Sequence, residues 1–160
     1  MGGNMWPMLV GVGPILGEDT LGYLVEPNNA KAVWRYEKGR ALLDGDIQAE
    51  TAHYYTLKSA KPVVAVLTDT LTASSGEAVA ISFKARKHIR SFGAGTCGVS
   101  TNRSRFYLSD GSVILLTTAV FADRHLVRYG HSIASDEPLK SIAVVPRAIR
   151  WIREDYNAKK

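Results

Sequence analysis

Thr72-Ala73-Ser74-Ser75-Gly76-Glu77 is the segment in which residue type and spacing can do chemistry. It follows Pro62 to Leu67, a continuous apolar run that reads as a buried strand of a parallel sheet. It precedes Ala78, Val79, Ile81, Phe83 and Ala85, which form one broad apolar face of a helix running from Ser74 to His88. A strand handing over to a helix exposes one side chain beside backbone N–H groups that lack partners in the first turn. The Ser74 hydroxyl, expected in a cleft there, is placed to attack a carbonyl, and those N–H groups can hold the resulting oxyanion. The same residues also make a plain helix start. Ser74 and Glu77 form a Ser-x-x-Glu capping box, and Ser75 or Thr72 can cap as well, so the local pattern by itself favours the cap.

Other reactive side chains are few. His53, His88, His125 and His131 each read as surface or capping residues, His88 as a cation at a helix C-terminus. Lys84 lies ten positions after Ser74, more than two helical turns away, and reads as a solvated helix residue. Cys97 sits in the loop Gly93-Ala94-Gly95-Thr96-Cys97-Gly98 without an adjacent histidine, and reads as an ordinary loop cysteine. As the single cysteine it makes no internal disulfide. No stretch has metal-ligand spacing, and no cofactor is expected.

The elements that must position the serine follow from periodicity and turn residues. Met5, Met8, Leu9, Val12 and Leu16 fall at helical spacing, with Gly17 as the stop. Gly22 to Glu26, Ala32 to Tyr36 and Arg40 to Leu43 read as strands, the last two joined by Glu37-Lys38-Gly39, and Asp44 to Ala52 reads as loop. Beyond the serine, Ile89 to Phe92 is a short strand. Arg105 to Leu108 and Val113 to Phe121 form a hairpin closed by Ser109-Asp110-Gly111-Ser112. Pro146 to Tyr156 is a terminal helix turning Ile149 and Ile152 inward.

The 160 residues, 46% hydrophobic and 22% charged, are the composition of one globular domain with its own core. The net charge of +5 is spread along the chain, apart from Lys84, Arg86, Lys87 and Arg90 and the terminal Lys159 and Lys160, so no nucleic-acid partner is expected. No apolar run approaches the roughly 20 residues of a membrane span.

Five segments occur in the order and approximate spacing of one family: Val64-Ala65-Val66-Leu67, Thr72 to Ala78, Ser91-Phe92-Gly93, Leu108-Ser109-Asp110-Gly111 and Leu116-Thr117-Thr118-Ala119. Together they resemble the C-terminal processing (tail-specific protease) family of serine peptidases, which includes the tricorn core protease and the nisin-resistance peptidase. The resemblance implies an α/β core of the Clp protease and crotonase type, built from strand-strand-helix units, with Ser74 as nucleophile. Gly2-Gly3-Asn4 resembles the end of the family's Asp-Leu-Arg-x-Asn-x-Gly-Gly motif, which implies an oxyanion hole made by the N–H of Gly2 or Gly3 and the N–H of Ser75. The Asp-Leu-Arg part is not in the chain, so residues 1–160 are expected to be the nucleophile-bearing part of a single catalytic domain, incomplete at the N-terminus. Many members place a lysine base just after the glycine-rich loop, where this chain has Val99, which cannot accept a proton. The sequence therefore resembles the serine-histidine branch, with the base upstream of this chain. The implied activity is hydrolysis of peptides or proteins through an acyl-enzyme, with the chain alone inactive. A non-catalytic binding or assembly module on the same fold is the main alternative, and acyl transfer on a thioester a weaker one. Homo-oligomerisation, and the choice between bacterial cytoplasm and cell envelope, are left open.

Overall fold

The computed structural model describes residues 2–59 and 62–157; Met1, and the expected basic tail at Lys159 and Lys160, lie outside the described residues. The α/β architecture expected from the sequence is what the chain adopts. Helix α1 (Met5–Leu16) starts where the Asn4 side chain accepts the Trp6 N–H and ends at Gly17, whose φ of 83° few other residues tolerate. It lies against strand β2 so closely that a Cβ on Gly13 would stand 2.0 Å from the Tyr36 ring.

Strands β1 (Asp19–Val25), β2 (Lys31–Glu37), β3 (Arg40–Leu43), β4 (Asp46–Glu50), β7 (Thr101–Tyr107) and β8 (Val113–Asp123) build one sheet in the order β4-β3-β2-β1-β8-β7, with antiparallel neighbours. Strands β5 (Val64–Thr68), β6 (Ile89–Gly93) and β9 (Glu137–Pro138) form a second, parallel sheet in the order β5-β6-β9. Helix α2 (Ser75–Phe83) packs against β1 and β8 on one side and β5 on the other. Helix α3 (Ser141–Asn157) packs on β5 and β6. Neighbouring residues of a strand point to opposite faces. Ser91 meets Lys84 at the end of α2 while Phe92 meets Trp151 of α3, so the two helices cover opposite faces of the parallel sheet.

Several boundaries depart from the sequence reading. Asp44 to Ala52, expected as loop, contains β4; Asp44 and Gly45 take positive φ and turn the chain back, so polar residues continue the sheet as an exposed edge. Helix α2 ends at Phe83, five residues short of His88, because Ala85 and His88 adopt left-handed φ of 62°. The terminal helix begins at Ser141 and carries Pro146 inside it; Ala148 is buried and Ile152 half-buried, while Ile149, expected to face inward, is exposed. Strand β5 is parallel as expected, yet only Thr68 of it is buried, since β5 lies at the edge of its sheet.

The core centres on Trp34, fully buried and edge-on to Phe121 at 5.5 Å, with its indole N–H donating to Ser82 Oγ of α2 at 3.3 Å. Gly22 stands opposite Trp34 in register, and a Cβ there would come within 2.5 Å of the indole, so glycine makes room for it. This packing ties the sheet to the helix that carries the serine. Trp34→Ala is expected to destabilise the fold by about 3–5 kcal/mol, read as a lower midpoint of urea unfolding.

Candidate active site

The serine is set by turn chemistry at the end of β5. The Asp69 carboxylate accepts the N–H groups of Leu71 and Thr72, and the Asp69 N–H donates to Thr72 Oγ1, closing a tight turn. Ser74 follows with φ 51° and ψ −111°, a conformation that residues with a side chain rarely adopt and that sharply turned nucleophile positions share. Ser75 begins α2, as the strand-turn-helix order predicts. Ser74 is half-buried at this end of the helix. A cleft at the other end of the helix is not lined by Ser74, so it is not the cleft expected around the hydroxyl.

What holds this strained turn is Glu77, which is fully buried. One carboxylate oxygen accepts the Ser74 N–H at 2.7 Å and the Val99 N–H at 3.0 Å; the other accepts the Gly98 N–H at 2.9 Å and the Thr96 hydroxyl at 2.5 Å. Hydrogen bonds to a charged group are worth about 1.5–3 kcal/mol each, and four of them offset the desolvation of a buried carboxylate. The capping half of this arrangement is legible as Ser-x-x-Glu. The other three partners lie some twenty residues on, and only the loop's glycine content hints that backbone there must come close.

That loop is fastened to the strand and the turn. The Thr68 hydroxyl donates to the Ala94 carbonyl, the Ala94 N–H to the Thr68 carbonyl, and the Cys97 N–H to the Thr72 carbonyl. Gly93 has φ 118°, and a Cβ on it would lie 2.1 Å from the Thr68 oxygen. No other residue permits that approach.

The four predicted site residues converge. Gly2 lies over the serine: a Cβ on it would stand 3.1 Å from Ser74 Cβ and 3.6 Å from Oγ. The Ser75 hydroxyl donates to the Gly3 carbonyl at 2.5 Å. The Ser75 N–H belongs to the first helical turn, whose N–H groups have no partner within the helix. His53, His125 and His131 are exposed, the last with Nδ1 against the Ser132 carbonyl, and His88 lies 4.0 Å from Asp155. Among the described residues no histidine or lysine hydrogen-bonds the Ser74 hydroxyl. Lys84, expected to be solvated, is instead the residue that ends α2, its ammonium donating to Asp136, Ser91 Oγ and the Ala134 carbonyl. Burial raises the Asp136 carboxyl, but hydrogen bonds from Ser91 and from Lys84 outweigh it and leave the pKa below the usual range. Cys97 is exposed and free.

The structure thus has a serine at a strained strand-to-helix turn, with a glycine pair beside it and a buried carboxylate behind it. The chain belongs to Peptidase family S41, whose sequence model matches residues 1–136. It is 29% identical over 155 residues to the nisin-resistance protein of Lactococcus lactis subsp. lactis, covering 95% of this chain and 46% of that protein. A solved structure of a lipoprotein from Streptococcus agalactiae matches with a TM-score of 0.74 at 28% identity, covering 97% of this chain and 52% of that one. The photosystem II D1 C-terminal processing protease shares the fold, with a TM-score of 0.63 at 22% identity over 91% of this chain and 35% of its own. The chain thus spans about half the length of the first two.

Glu77→Ala strands four donors in a buried place and is expected to cost at least about 3 kcal/mol. Denaturant unfolding reads it directly, and a loss below about 1 kcal/mol would show that the carboxylate does not hold the loop to the turn.

Proposed function

We propose that this chain is the nucleophile-bearing part of a serine peptidase catalytic domain, acting on peptide or protein substrates through an acyl-enzyme at Ser74. The observation that carries the reading is the strained backbone of Ser74, held by Glu77 at the start of a helix and flanked by Gly2 and Ser75. Strain of this kind persists only where the surroundings enforce it, and it gathers at sites of function. A plain cap needs no such conformation, because ordinary caps sit in extended backbone.

In the proposed reaction Ser74 Oγ attacks the scissile carbonyl while a general base takes the hydroxyl proton. The tetrahedral oxyanion is received by the N–H of Ser75 and that of Gly2 or Gly3. Collapse expels the amine, which takes the proton back from the base, and water then cleaves the ester by the same path. The base in this reading is a histidine upstream of this chain. Two points support this assignment: Val99 stands where the resemblance places the family's lysine, and no described histidine hydrogen-bonds the Ser74 hydroxyl.

In the complete gene product, Ser74→Ala is expected to abolish peptide hydrolysis and labelling by a fluorophosphonate, while shifting stability by only about 0.5–2 kcal/mol. Ser75→Ala keeps its backbone N–H and should retain most of the activity. Equal loss from both would show that the motif has been read in the wrong register. Unlabelled Ser74 in a fully folded gene product would favour the non-catalytic module instead.

The 160-residue chain alone is expected to hydrolyse an unstructured peptide far more slowly than the complete gene product, since general-base assistance accounts for about 10²–10⁴-fold in rate. Full activity in the chain alone, eliminated by replacing one of His53, His88, His125 or His131, would overturn the assignment of an outside base.

A further inference from the structure

A cleft of about 600 Å³ opens at the C-terminal end of α2, away from Ser74. A helix of nine residues is roughly 13 Å long, so this cleft and the serine are separate places. Leu16 at the end of α1, Tyr36 of β2, Tyr54 and Tyr55 of the segment after β4, and Arg86 and Arg124 line it. Its volume falls within the usual range for a small-molecule site.

The polar chemistry of the cleft is unbalanced. Arg124 is anchored, with Nη1 at 3.3 Å from Asp19 and Nη2 donating to the Ser82 carbonyl at 3.0 Å, though its Nε is buried without a partner. Arg86 is not anchored: Nη1 and Nη2 are both buried and neither has a hydrogen-bond partner among the described residues. Burial first, and the neighbouring Arg124 cation second, press the Arg86 pKa below its usual value. A native fold rarely leaves buried donors unanswered, and two on one guanidinium beside a second cation call for an anion.

We infer that the cleft binds a monoanionic carboxylate carried on an apolar body, held by the guanidinium of Arg86. The unanswered Nη1 and Nη2 form the planar fork that matches the two oxygens of a carboxylate. The tyrosines and Leu16 supply the wall against which an apolar body packs. Glu18 and Asp19 line the cleft opposite in sign to Arg86, Lys87 and Arg124, so the lining carries a net charge of about +1, which favours a carboxylate over a phosphate dianion. The guanidinium nitrogens are closed from solvent, so binding requires the wall to yield. The stretch 54–57 belongs to no helix or strand, and Tyr55 is 69% exposed, so this is the part of the wall that can move.

The test uses the 160-residue chain with phenylacetate as probe, at constant ionic strength, read by calorimetric titration and by thermal unfolding. Phenylacetate is expected to bind saturably and to raise the Tm, whereas neutral phenylacetamide and inorganic phosphate leave both readouts unchanged. Arg86→Gln should weaken phenylacetate binding on the order of tenfold or more, and without ligand should melt no lower than the wild type, because it removes an unpaired buried charge. Should Arg86→Gln fail to fold, Arg86→Lys decides, since it keeps the charge and loses the fork. Absence of saturable phenylacetate binding overturns the proposal, as does equal binding of phenylacetamide or phosphate, or undiminished affinity in the variant that folds.

Discussion

One buried carboxylate governs the serine end of this molecule. Glu77 is a charged side chain placed where no water reaches it, and the fold tolerates it because every neighbour that touches its oxygens is a donor. Taking a carboxylate out of water without partners is prohibitive, so the donors must arrive together or not at all. The Ser74 turn and the loop from Thr96 to Val99 are therefore one structural unit, although some twenty residues of helix and strand separate them in the chain.

The remaining architecture supports that unit. The parallel pairing of β5 with β6 brings Thr68 beside Gly93, so the serine turn and the loop leave the sheet from neighbouring positions. Helix α2, clamped between the two sheets by Trp34 and the residues around it, fixes the direction in which Ser74 leaves β5. The Gly2-Gly3 segment lies beside the turn and is fastened by the Ser75 hydroxyl. The loop and the Gly2-Gly3 segment meet the serine region in part through backbone groups, the N–H of Gly98 and of Val99 and the carbonyl of Gly3.

Much of this was legible before any coordinates. Apolar periodicity located α1 and α2, because burial of one face is a local property of the sequence, and a continuous apolar run located β5, though not its shallow burial at a sheet edge. Ser74, Ser75, Gly2 and Gly3 were found through ordered motifs and do come together. What stayed hidden depended on contacts between distant residues. The premature end of α2 arises from left-handed backbone at Ala85 and His88, which neither residue type announces. Strand β4 carries little apolar pattern, since it is an exposed edge that exists through pairing with β3. Lys84 looked like a solvated lysine because its acceptors, Asp136 and the Ala134 carbonyl, come from a loop some fifty residues later. Glu77 was readable as a capping partner and unreadable as a hub.

The grip on Val99 has an evolutionary consequence. Glu77 holds this position by its backbone N–H, so the frame around the serine is indifferent to the side chain that residue 99 carries. A lineage can therefore lose or regain a proton-accepting group there without disturbing the turn on which Ser74 stands. A scaffold of this design can change the side chain at residue 99 while the backbone that carries Ser74 stays in place.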